Sequence, residues 1–183
     1  MTIVNITDIQ NKTVQVDNYQ ATFLTLKADG KLFRFDFIDK KEFNLKKGTS
    51  GRLNLFEIHP LLIDYNENSL TTYINSKPEN VDRFVADLKN ALNEITQGWR
   101  NWANYVEDRA INFTVDTFLN NIKAGAGKLL EAPFSITQKA IEVCSNHNVA
   151  TKTIGNELRQ DNFKLICIAD NYVIAKEFRQ HTK

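Results

Sequence analysis

The chain has 183 residues, 42% hydrophobic and 25% charged, with 7 Gly and 3 Pro, a composition that excludes the disordered and collagenous classes. Its 23 basic residues face 22 acidic ones, and a formal charge of +1 supplies no global field to draw nucleic acid or an anionic membrane, so any such binding must be local. Two cysteines, Cys144 and Cys167, sit among apolar residues and read as reduced core thiols of a cytoplasmic protein; no signal peptide and no run of roughly 18 apolar residues is visible, so no membrane partner is expected.

In chain order, Val14 to Val16 reads as a short strand. Tyr19 to Ile38 follows as two alternating runs around Asp29-Gly30, the dipeptide that suits the left-handed positions of a type I′ turn. That turn sets a register with Leu26 opposite Phe33, Leu24 opposite Phe35 and Thr22 opposite Phe37, all on one core-facing side. The other side, with Phe23, Thr25 and Lys27 against Asp36, Arg34 and Leu32, is mixed enough to be half exposed. Gly51 to Ile58 and Leu70 to Ile74 read as further strands between Asn- and Pro-bearing turns. Residues 1–76 are therefore expected to form a β-rich module, a small antiparallel sheet or barrel.

Pro78-Glu79-Asn80 opens a helical pattern in which Val81, Val85, Leu88, Leu92, Ile95, Trp99, Trp102, Val106 and Phe113 recur by steps of three and four. Unbroken, such a helix would run roughly 50 Å at about 1.5 Å per residue, longer than a small domain is wide. A break is expected either at Gly98 or near Asn112-Phe113-Thr114-Val115, where β-branched residues weaken helix propensity. After Ala124-Gly125-Ala126-Gly127, Pro133 to Asn148 reads as a second helix with Ile136, Ala140, Val143, Cys144 and His147 on one side. Phe163 to Phe178 closes the chain as a hairpin around Asp170-Asn171, placing Ile168 opposite Val173 and Cys167 opposite Ile174, apolar on both faces. The expected class is α+β: an N-terminal antiparallel sheet or barrel, a long helical middle segment and a C-terminal hairpin, with residues 77–183 as the second module or as part of one shared core.

Gly125-Ala126-Gly127-Lys128 lacks the Ser or Thr after the Lys and the earlier glycine that a phosphate-binding loop needs, and reads as an interhelical turn. Cys144 and His147 have the spacing of half a zinc site, but both fit the inner face of a helix, so neither a metal nor a cofactor is expected. Cys144 with His59 is the one nucleophile and base pairing that can be named, and no carboxylate pair is forced together, so no catalytic residue is assigned. Lys46, Lys47 and Arg52 form a basic, donor-rich strand connection able to take phosphate. Trp99 and Trp102 lie three apart, with Val106 and Arg109 continuing the same helical face, the composition of cores and interfaces alike.

These features point to a non-enzymatic protein-binding or assembly module that presents Trp99, Trp102, Val106 and Arg109 to another protein chain, its own copy or a different one. The rivals are a nucleic-acid-binding protein using Lys46, Lys47 and Arg52, and an enzyme with a pocket around His59.

Overall fold

The computed structural model describes residues 3–14, 19–156 and 161–182. The elements in chain order are β1 (Ile3–Val14), β2 (Tyr19–Ala28), β3 (Lys31–Phe43), β4 (Ser50–Phe56), α1 (Pro60–Asn66), β5 (Ser69–Ile74), α2 (Val81–Thr96), α3 (Ala103–Val106), α4 (Val115–Ala124), β6 (Gly127–Pro133), α5 (Phe134–Asn146), β7 (Thr151–Ile154), β8 (Lys164–Ile168) and β9 (Asn171–Thr182), with a 3-10 turn at Arg109–Ile111. The class is α+β. The chain divides into two compact units, residues 1–62 with 161–183, and residues 63–160. The expected first module of 1–76 thus gives up Ile63 onwards and gains the closing hairpin.

The first unit is a closed antiparallel barrel in the order β1-β2-β3-β9-β8-β4, with β4 returning to β1. Closure explains why β8 and β9 are needed: without them β3 and β4 would each present an unpaired edge. The β2–β3 register is the one expected, Thr22 opposite Phe37, Leu24 opposite Phe35 and Leu26 opposite Phe33. Asp29 and Gly30 hold φ of 49° and 77°, the left-handed pair that the turn demands. The first strand is far longer than expected: β1 begins at Ile3 and ends at Val14, while Gln15 and Val16 lie outside the described residues. The closing hairpin turns one residue earlier than expected, at Ala169-Asp170, so Ile168 faces Asn171 and Ile166 faces Val173. Sliding the pairing by two positions leaves every side chain on its face, which is why Leu165 to Ile168 and Val173 to Ala175 are still buried on both sides. The barrel is filled by Ile6, Leu24, Leu26, Phe37, Ile168 and Val173 among others, with the Phe37 ring edge-on to Phe178 at 5.4 Å.

The second unit is a three-stranded antiparallel sheet in the order β6-β5-β7, with α2 packed on α5 and α5 on β5 and β6. Asn80 caps α2 by accepting the Arg83 N–H at 2.9 Å, and Phe84, Val85, Leu88, Ala91 and Leu92 form its buried stripe. The helix does not continue. Gln97 and Gly98 both take left-handed φ, 50° and 74°, and the Gly98 N–H donates to the Asn93 carbonyl, closing the last turn. A second interruption comes at Asn112, φ 53°, inside the Asp108–Phe113 bridge, and Thr114 then caps α4. Both expected breaks occur, so the 50 Å seam does not form. Gly125 ends α4 in the left-handed region at φ 72°, and the chain then enters strand β6, which corrects the expected interhelical turn. The helix expected from Pro133 is present as α5.

Candidate ligand-binding site at the barrel mouth

Inward positions of β2 and β3 differ in depth. Phe37 is 0% exposed, whereas Phe35 and Phe33, one and two steps nearer the turn on the same face, are half-buried. Across the barrel wall β9 places Phe178 opposite Phe37, then Gln180 opposite Phe35, so the inward face changes from aromatic to amide as it nears solvent. Around these rings Val4, Leu26, Ala28 and Leu53 complete the wall of a cavity of about 410 Å³, a volume in the range of small-molecule pockets. Arg52, paired in the ladder with Ile3, is exposed at its rim.

The charges around the barrel separate into engaged and unengaged groups. Arg34 lies 3.6 Å from Asp36 and 3.9 Å above the Phe23 ring, Lys41 pairs with Asp39 at 2.8 Å, and Lys164 with Glu57 at 2.7 Å. Among the described residues the Arg52 and Gln180 side chains make no ion pair or hydrogen bond. Lys46 and Lys47 are likewise exposed and without a partner. Their connection is tied down rather than loose: Thr49 N–H donates to the Lys46 carbonyl, Gly48 N–H to Ile6, and Ile6 N–H to Thr49. Lys46 and Lys47 do not line the mouth cavity, so of the three expected phosphate ligands only Arg52 reaches it.

The expected protein-facing residues are not brought to one surface. Val106 is 1% exposed, and Trp102 packs on the core of the second unit with its ring 5.8 Å from Phe118 and the Lys89 ammonium 4.6 Å from its centroid. Trp99, 40% exposed, follows the left-handed turn and shares no helix with Trp102. Arg109 opens the 3-10 turn, and its side chain lies outside the described residues. The shared face is lost because Gln97 and Gly98 end α2 before either tryptophan.

The remaining nominees have structural partners. His147 bonds Asp87 at 2.9 Å and sets its ring edge-on to Phe84, away from any role beside Cys144. Burial pushes the Cys144 thiol up to about 12 and that of Cys167 to about 11, so neither carries a thiolate near neutrality. Burial lowers the pKa of His59, whose Nδ1 accepts the Leu61 N–H at 3.2 Å, and the ring lies tilted against Phe56 with centroids 5.3 Å apart. Lys128, after the glycines, is held by Glu131 at 2.8 Å and Asp108 at 3.4 Å. Among the described residues no three His, Cys, Asp or Glu side chains gather as metal ligands would, and no helix is long and apolar enough to cross a membrane.

Phe33 and Phe35 read as core residues in the sequence, and nothing local there marks Gln180 or Val4. The signal for Gln180 was an amide interrupting the apolar alternation of the last strand, legible only once its partner strand is known. Compared with protein-family models, curated proteins and solved structures, the chain gives no match.

Proposed function

We propose that this protein is a non-enzymatic binding module whose binding site is the mouth of its barrel. The observation that carries the reading is the pair of inward-facing rings, Phe33 and Phe35, left half-buried over a cavity of about 410 Å³ while the same face is sealed at Phe37. Apolar surface of this kind, rimmed by unengaged polar groups, gains free energy when a ligand excludes its water. High thiol pKa values and a His59 nitrogen already committed to the backbone support a binding rather than a catalytic role. The test is an NMR titration of the ¹⁵N-labelled chain with 1-octanol. Shifts concentrated at the amides of Phe33, Phe35 and Leu53 are expected; their absence, or shifts scattered over the surface, would refute the reading.

Two other partners belong to the same proposal, each on its own observation. Lys46 and Lys47, unpaired on a turn anchored to Ile6, support phosphate or single-stranded nucleic acid, for which three contacts with Arg52 would give a log–log salt slope of about −2. Trp99 at 40% exposure supports another protein chain as partner, now without the rest of the helical seam. The two thiols form no disulfide, which supports a reducing, cytoplasmic setting.

A further inference from the structure

We infer that the ligand of the barrel mouth is an amphipathic monoanion, an aliphatic carboxylate whose chain lies against Phe33, Phe35 and Leu53 and whose head meets Arg52 and Gln180; this rests on the mouth being the binding site. Among the described residues the cavity wall carries one cation, one amide and no acidic side chain. Arg34, Lys41, Lys164, Lys176 and Arg179 all sit within ion-pair distance of a carboxylate of the barrel unit, whereas among the described residues Arg52, like Lys46 and Lys47, has none. A guanidinium presents paired donors in the plane that a carboxylate accepts, and the Gln180 amide adds a further donor at the inward position next to the rings. Size agrees with this class: at about 30 Å³ for a water-sized group, 410 Å³ holds on the order of a dozen heavy atoms, a medium-chain acid. Charge argues for one negative charge rather than two. Lys46 and Lys47 stand outside the cavity, so among the described residues a dianionic head at the rim would meet a single cation.

The experiment compares two probes of equal chain length, octanoate and 1-octanol, titrated into the full chain at pH 7 and low salt, with binding read from the mouth amides. Octanoate is expected to bind about fivefold tighter than 1-octanol, the scale of a rim ion pair. Arg52→Gln should bring octanoate binding down to the level of 1-octanol in the same variant, and Arg52→Lys should keep part of the preference. The exposed, unpaired position of Arg52 makes both variants compatible with the fold. If 1-octanol binds the mouth as well as octanoate does, or if the preference survives in Arg52→Gln, the anion assignment is overturned while the mouth remains the site. If neither probe moves the mouth amides, the assignment falls together with the site.

Discussion

Replacing Trp102 by Ala separates a core tryptophan from an interface tryptophan. The ring packs on the core of the second unit, against Phe118 at 5.8 Å and under the Lys89 ammonium at 4.6 Å. Truncating a fully buried Trp costs about 3–5 kcal/mol, and because Trp102 is half-buried we take roughly half of that, about 2 kcal/mol. The lost aromatic pair and the lost cation–π contact each add about 0.5–1 kcal/mol, which brings the expected destabilisation to about 3 kcal/mol. Urea unfolding followed by far-UV circular dichroism measures it, with Trp99, the other of the two tryptophans in the chain, as a fluorescent reporter inside the same unit. Lys89→Met should remove only the cation–π part, under about 1 kcal/mol, and should cost nothing further in the Trp102→Ala background. Light scattering on the same samples should give one mass for wild type and variant. A stability loss below about 0.5 kcal/mol together with a lower mass for the variant would refute the packing account and return Trp102 to an intermolecular surface.

Two glycines distinguish backbone strain from collision. A Cβ at Gly30 would meet no atom within 4 Å, so Gly30→Ala should cost only the left-handed strain, about 1–2 kcal/mol, whereas at Gly125 it would lie 2.5 Å from the Lys77 amide nitrogen and Gly125→Ala should cost more; equal melting temperatures for the two variants would contradict this. Asp64 accepts from Arg100 Nε at 2.7 Å and from the Tyr105 hydroxyl at 3.1 Å, so Asp64→Ala should cost about 2 kcal/mol in urea and Tyr105→Phe only about 1 kcal/mol, with the reverse order counting against the network. The thiols of Cys144 and Cys167 keep their protons in the fold to about pH 12 and 11, while unfolded thiols lose them near about 8.5. The folded state therefore binds more protons in that window, and stability should fall as pH rises from about 8.5, by up to about 1.4 kcal/mol per pH unit for each thiol. Replacing both by Ala should flatten that slope, and rapid labelling of either thiol at neutral pH in the native protein would contradict the burial behind it.

What could be read from the sequence was local. Asp29-Gly30 sets its own turn chemistry and so the register of β2 on β3, Asn80 with the apolar steps Val81, Val85, Leu88 and Leu92 marks α2, and Gly98 is one of the two places where a break is expected. The short runs at Gly127–Pro133 and Thr151–Ile154 escaped notice because a few apolar or β-branched residues fit strand or loop equally well until a partner strand is present. Closure of the barrel escaped for a stronger reason: β9 pairs with β3 across more than a hundred residues of chain, and an alternating pattern announces that a strand has a buried face without saying which strand lies beside it. The candidate site inherits that dependence. Alternation alone put Phe33, Phe35 and Phe37 on one inward face, but how deep each ring sits is decided by where the neighbouring strands begin and end, and that left Phe37 sealed and the other two at an open mouth beside Arg52 and Gln180.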